Sequence, residues 1–360
     1  MSKLNELAEL GQGIWVDYIR RAFITSGELQ RLVEQGVQGV TSNPSIFEKA
    51  IAGSDDYDEV LSELVVQDKS VVEVYEALAF EDIRAAAVTL RPVYDETNGA
   101  DGYVSLEVSP ALAHDTEGTI AEARRLFSGL DRPNVMIKVP ATPEGMPAIE
   151  TLIGEGINVN VTLMFSLDHY EAVTEAYITG LERLVKAGGD PSQVASVASF
   201  FLSRIDSAVD QALGELGEEE LQGKIAIASA KVTYARFGEV FGGARWQALA
   251  AKGARVQRPL WASTSTKNPD YPDTMYVDSL IGPHTVNTVP PQTLAAYLDH
   301  GLVASTLEEG VEEARSQLAR LAELGVGLKQ AKLPSRLTPL ITTLLKLLPS
   351  MIILGFITKK

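Results

Sequence analysis

Short apolar runs alternate with longer stretches of helical periodicity from one end of the chain to the other. Eight runs read as strands: residues 14–18, 37–42, 103–108, 135–139, 157–164, 195–201, 224–231 and 260–263. Amphipathic segments with start and stop signals lie between them. Thr25 with Glu28, Ser45 with Glu48 and Thr306 with Glu309 have the spacing of a capping box, in which a hydroxyl and a carboxylate satisfy the free N–H groups of a first helical turn. Gly36 stands where a helix starting near Ser26 should stop, and Gly188 and Gly189 close a long helical pattern that follows Ser166. This order predicts an α/β protein, a (β/α)8 TIM barrel; an open doubly wound sheet is the competing arrangement.

Two regions exceed a plain repeat. Residues 44–100 predict extra helices between the second and third strands, closing in a turn at 95–101. Residues 265–290 carry Lys267-Asn268-Pro269 and run into Pro290-Pro291, and predict a long structured loop after the eighth strand. Residues 1–332 are expected to form one barrel domain. The segment 333–360 is apolar but interrupted by Pro339, Lys346 and Pro349, and its stretch 347–357 is shorter than the roughly 20 apolar residues that span a bilayer. A C-terminal helical extension packed on the barrel is expected there, with peripheral membrane contact as the lesser reading and no integral membrane span.

Composition changes the picture mainly by exclusion. Hydrophobic residues make up 45% and charged residues 22%, enough for a sizeable core. The absence of cysteine removes disulfides, thiolate metal sites and cysteine nucleophiles. His114, His169, His284 and His300 are too scattered to form a ligand pair on one helix, so no metal is expected. A net charge of −17 repels nucleic-acid phosphates yet leaves room for a small anionic substrate in a local basic pocket. The opening MSKLNELAELGQ lacks a signal-peptide pattern, which points to the cytoplasm. Nothing in the sequence reports the oligomeric state.

The candidate chemistry lies in polar residues set inside apolar strands. Alternate strand residues share a face, so Asn158, Asn160 and Thr162 point one way while Val159, Val161 and Leu163 point the other. Polar groups buried without partners cost a few kcal/mol each, so such a ladder needs partners, water or a ligand. The same test selects Lys138 among apolar neighbours, Glu107 with Ser105, Asp17 with Trp15, Thr41 with Asn43, and Ser229 with Lys231. Barrel enzymes work at the carboxyl ends of their strands, so Asp17, Asn43, Glu107, Lys138, Thr162, Ser199 and Lys231 are expected to converge. Singly, each has a plainer reading: a snorkelling lysine, a buried Glu107–Lys138 pair, a loop-capping Asp17, an Asn43-Pro44 turn. Together they describe one polar centre. An amine taken out of water is neutral more often and attacks carbonyls, and the iminium it forms is an electron sink for breaking a carbon–carbon bond. Two carboxylates, Asp17 and Glu107, are available to move protons. No cofactor is needed.

At these residues the chain resembles the transaldolases, most closely their longer bacterial subfamily. The resemblance is carried in order by GVTSNPS (39–45), VSLEV (104–108), IKVPAT (137–142), NVNVTLMFS (158–166), SFFLSRID (199–206) and RPLWAST (258–264), and it covers roughly residues 4–330. It implies that Lys138 is the Schiff-base lysine and Asp17 the acid/base at the substrate C4 hydroxyl. It also implies that Glu107 and Thr162 manage a catalytic water, and that Thr41, Asn43 and Asn160 bind the dihydroxyacetone hydroxyls with Ser199 and Phe201 nearby. Arg204 matches the phosphate-binding arginine, and Lys231 stands where many members carry a second arginine, keeping the charge without the bidentate fork. The implied reaction moves a dihydroxyacetone unit from sedoheptulose 7-phosphate to glyceraldehyde 3-phosphate. A simple aldolase on the same barrel and a silent sugar-phosphate binder are the alternatives. The segment after about residue 331 does not resemble the usual family ending.

Overall fold

The computed structural model describes residues 2–65, 67 and 69–327. Eight parallel strands close into a barrel in sequence order: β1 (Gln12–Asp17), β2 (Gly39–Thr41), β3 (Tyr103–Glu107), β4 (Val135–Pro140), β5 (Val159–Met164), β6 (Ser196–Phe201), β7 (Arg258–Ala262) and β8 (Thr285–Val289). Closure runs from Gln12 against Thr285 to Val16 against Val289, which leaves the sheet without an open edge. The expected TIM barrel is therefore observed and the open sheet is not. The extra helices between β2 and β3 are also present, as Pro44–Ala52, Asp58–Val65 and Val71–Glu96.

Side-chain alternation divides the apolar residues into two sets. Val16, Val40, Leu106, Ile137, Val161 and Phe200 face outward and pack in the main core with the surrounding helices. Trp15, Tyr103, Met136, Val197, Leu260 and Val286 form a separate cluster inside the barrel. Polar stitches hold this apolar floor. Trp15 Nε1 donates to Asp101 Oδ1 at 2.8 Å, Asp101 Oδ2 pairs with Arg258 at 2.8 Å, and Arg258 donates to the Thr285 carbonyl at 2.7 Å. Asn158, expected at the start of an inner polar ladder, instead ties strand beginnings together. Its amide donates to the carbonyls of Pro133 and Val135 and its oxygen accepts from Ala195 N–H.

Several expectations are corrected. Residues 224–231 are not a strand; they open the helix Ile225–Gly242. The run 260–263 is therefore the seventh strand, and the eighth, Thr285–Val289, lies at the end of the segment read as loop. None of the three expected capping boxes forms. Thr25 ends a helix, Asn43 rather than Ser45 caps Pro44–Ala52, and Gly310 rather than Thr306 precedes Val311–Glu323. A full capping box occurs at Ser70 and Glu73. Gly36 and Gly188 do terminate helices, both at positive φ. The boundary expected at residue 332 and the terminal helix expected over 333–360 lie outside the described residues. Among the described residues, no helix is long and apolar enough to cross a membrane.

Gly39 is where the floor admits no extra atom, because a Cβ there would stand 2.5 Å from Trp15 Cδ2. Gly39→Ala is expected to destabilise the fold by about 1–3 kcal/mol through overpacking. The measurement is the denaturant unfolding midpoint, and an unchanged midpoint would mean that the indole moves aside freely.

Candidate active site

A polar layer lies above the apolar floor. Lys138 of β4 is in register with Glu107 of β3 and Asn160 of β5, so three neighbouring strands present these side chains together. Lys138 is only 6% exposed. Its Nζ stands 3.8 Å from Glu107 Oε2 and donates to the Ser42 carbonyl at 3.2 Å. Glu107 is backed by an apolar crevice lined by Tyr75, Phe80, Leu106, Val108 and Leu126. Burial pushes its pKa above the usual carboxylate range; Lys138 and Arg204 oppose that shift and Asp17 reinforces it.

Asp17, at the end of β1, accepts from Thr41 Oγ1 at 2.8 Å. Thr41 Oγ1 is also 2.8 Å from Thr288 Oγ1 on β8. A hydroxyl has one proton to give; with that of Thr41 on Asp17, Thr288 is the donor in the second bond. A relay thus runs from Thr288 through Thr41 to Asp17. Asn160 is held at both ends, donating to Ser105 Oγ at 3.1 Å and accepting from Ser199 Oγ at 2.7 Å. Thr162, also buried, sits at an irregularity where the β5–β6 register shifts between Val161 and Met164 and Leu163 takes φ +65°. Such a bulge re-aims side chains at a barrel rim. Asn43 caps the helix Pro44–Ala52, accepting from Ile46 N–H at 3.0 Å.

The mouth is basic. Arg204 lies on the first turn of the helix Leu202–Leu216, its guanidinium carbon 4.9 Å from the Phe201 ring centroid. The charges of Glu107 and Asp17 both act on it. Lys267, past the end of β7, donates to Ser265 Oγ at 2.6 Å. Partial burial and the nearby cations Arg204 and Lys49 push its pKa down, against the pull of Asp17.

Lys231 does not join this group. On the helix Ile225–Gly242 its Nζ donates to the carbonyls of Thr306 at 2.9 Å and Glu309 at 2.7 Å, and the carboxylates acting on it are Glu309 and Glu313. Its expected place on a strand fails with the strand itself. The cation beside Arg204 is Lys267, five residues beyond Ala262, the last of β7. The rule that reads strand carboxyl ends as functional would have selected it. Thr288 was missed because its strand was.

The set offers a buried amine beside Glu107, Asp17 within the field of Glu107, a hydrogen-bonded amide and hydroxyls, and the cations Arg204 and Lys267 at the rim. Such a set can form an imine with a phosphorylated carbonyl compound and shuttle protons around it.

The family model for transaldolase/fructose-6-phosphate aldolase matches residues 14–333. A transaldolase of Parafrankia sp. (strain EAN1pec) is 53% identical over 332 residues, spanning 91% of this chain and 90% of the relative. A transaldolase of Trichodesmium erythraeum (strain IMS101) is 50% identical, spanning 89% and 87%. One of Thermobifida fusca (strain YX) is 51% identical, spanning 91% and 90%.

Inorganic phosphate titrated calorimetrically into the protein is expected to bind about tenfold more weakly to Lys267→Ala or Arg204→Ala, the loss of one charge-assisted contact. Lys231→Ala should bind it like the parent chain. Weakened binding in Lys231→Ala alone would reverse the assignment.

Proposed function

The chain belongs to the transaldolase/fructose-6-phosphate aldolase family as a transferase of the transaldolase type, and from that premise we propose that it moves a dihydroxyacetone unit between ketose and aldose phosphates through a Schiff base on Lys138. Donors are sedoheptulose 7-phosphate and fructose 6-phosphate, as in the non-oxidative pentose phosphate pathway, with the phosphate held by Arg204 and Lys267. A cytoplasmic location, with no nucleic-acid partner, is part of the same proposal.

The observation that carries this reading is the buried Lys138 amine 3.8 Å from Glu107, with Glu107 also feeling Asp17. Neutral Nζ adds to the ketose C2, and the resulting carbinolamine must lose its C2 oxygen as water. That step needs a proton donor at neutral pH. A carboxyl whose pKa is raised by burial keeps its proton further into that range, which suits Glu107 with Thr162 to the role. Asp17 then takes the proton of the C4 hydroxyl. The C3–C4 bond breaks, its electron pair flows into the iminium to give the neutral enamine, and the aldose phosphate departs. An incoming aldehyde is attacked by the enamine carbon, and Asp17 returns the proton to the new hydroxyl. Hydrolysis of the imine frees Lys138. The Thr288–Thr41 relay suits Asp17 to this exchange, because it aims one carboxylate oxygen and leaves the other for substrate. Thr41, Asn43 and Asn160 bind the hydroxyls of the three-carbon unit, beside Ser199 and Phe201.

Borohydride reduction in the presence of fructose 6-phosphate is expected to leave a covalent adduct on Lys138, located by peptide mass spectrometry; a folded protein without that adduct would refute the mechanism. Glu107→Gln should slow adduct formation by about 10²–10⁴-fold, the usual worth of a positioned proton donor, while phosphate still binds. Release of free dihydroxyacetone at the same rate with and without an aldose phosphate would make the chain an aldolase instead.

A further inference from the structure

The two cations at the mouth stand on different elements. Arg204 is on the helix Leu202–Leu216, and Lys267 is on the connection 263–284 between β7 and β8. A lysine is a point charge on a flexible stem, so its usefulness beside Arg204 depends on how firmly its backbone is held.

The helix that bears Arg204 also holds that connection. Asp206 and Asp210, four residues apart, lie on one face of the helix. Tyr276 Oη donates to Asp206 Oδ2 at 2.7 Å, and Tyr271 Oη donates to Asp210 Oδ2 at 2.8 Å. The second oxygen of each carboxylate is also engaged. Asp206 Oδ1 accepts from Ala226 N–H at 2.8 Å and Asp210 Oδ1 from Gly223 N–H at 3.0 Å, both at the entry to the helix Ile225–Gly242. Gly223 has φ +69°, and a Cβ there would stand 2.8 Å from Tyr271 Cζ, so the ring occupies space that only glycine leaves open. The grip is passed to Lys267 through a short turn, in which Tyr271 N–H donates to the Asn268 carbonyl at 3.2 Å and Asp270 N–H to Asn268 Oδ1 at 3.0 Å.

We propose that these two Tyr–Asp pairs form a clasp that fixes Lys267 relative to Arg204, making Tyr271 and Asp210 positioning residues for the substrate phosphate. The clasp touches neither Lys138 nor the reacting carbons, so it acts on recognition of phosphorylated substrates and not on the bond-breaking step. It rests on the reading of Arg204 and Lys267 as the phosphate site.

The test is Tyr271→Phe in the full chain, which deletes one hydroxyl from a half-buried ring, with Lys267→Ala as reference. Steady-state transfer is measured with fructose 6-phosphate and with unphosphorylated fructose as donors. Tyr271→Phe should raise KM for fructose 6-phosphate about three- to tenfold, the worth of one such hydrogen bond, with kcat changed by less than about twofold. kcat/KM for fructose should not move. Asp210→Asn keeps one acceptor, for Gly223 N–H, and its new amide N–H can donate to the Tyr271 hydroxyl, so its KM should fall between those of the parent and Tyr271→Phe. If Lys267→Ala raises KM for the phosphorylated donor and Tyr271→Phe does not, the clasp is rejected and the phosphate site stands. If Lys267→Ala leaves that KM unchanged, the site and the clasp fall together. Equal loss with both donors would mark Tyr271 as merely structural and reject the proposal as well.

Discussion

The centre of this protein is a single unequal electrostatic contact, the Lys138 amine facing Glu107 across 3.8 Å of the barrel interior. Taking either charge out of water is costly, and a buried pair recovers that cost only with close geometry and further hydrogen bonds. Here the geometry is loose. Lys138 has one backbone carbonyl and a carboxylate beyond normal hydrogen-bond length. A pair built for stability would be shorter and backed by further hydrogen bonds. This one leaves Nζ with unused donor capacity beside a carboxyl whose pKa burial raises, which is poor scaffolding and suits the proton-coupled carbonyl addition proposed for the pair.

The fold makes that arrangement tolerable. Closed parallel pairing places Glu107, Lys138 and Asn160 on adjacent strands in register, so their spacing is set by backbone hydrogen bonds rather than by flexible stems. Below them, Trp15, Tyr103, Met136, Val197, Leu260 and Val286 fill the barrel and close it to water from that end. The polar layer can face only upward, toward the mouth. Its other members are mutually satisfied, Asn160 between Ser105 and Ser199 and Asp17 on the Thr41–Thr288 relay. They therefore cost little while no substrate is bound.

Most of this was legible because inward polar residues contradict an apolar strand. Lys138, Glu107, Asp17 and Asn160 could be found by alternation alone. Lys231 misled for a physical reason: Ile225-Ala226-Ile227-Ala228-Ser229-Ala230 alternates locally like a strand. The run continues to Gly242 with Ala228, Val232 and Tyr234 buried among helices, and alanine-rich sequence favours the helix once both sides are covered. The strand Thr285–Val289 was hidden by Pro283 before it and Pro290-Pro291 after it, which read as loop although both sites lie just outside the ladder. Both errors fell in the same third of the barrel, and the first of them set Lys231 on a strand where the structure has a helix. The capping boxes failed because the spacing of hydroxyl and carboxylate says nothing about which residue has a free helix end beside it.

The mouth shows why a locally basic rim matters in a chain of net charge −17. An anionic substrate approaching such a surface is repelled on average, so it must be drawn by a short-range field. Arg204 and Lys49 both act on Lys267 there, and Asp17 acts on Arg204 and Lys267 alike. At physiological salt, fields beyond roughly 8 Å are screened, so only cations gathered this closely are felt as a group. Holding Lys267 there has its own cost: burial first, and then the charges of Arg204 and Lys49, lower its pKa. Carboxylates offset part of it, Glu107 and Asp17 at Arg204 and Asp17 at Lys267. On the proposed reading a substrate phosphate offsets the remainder, so part of its binding energy would come from repulsion among these cations.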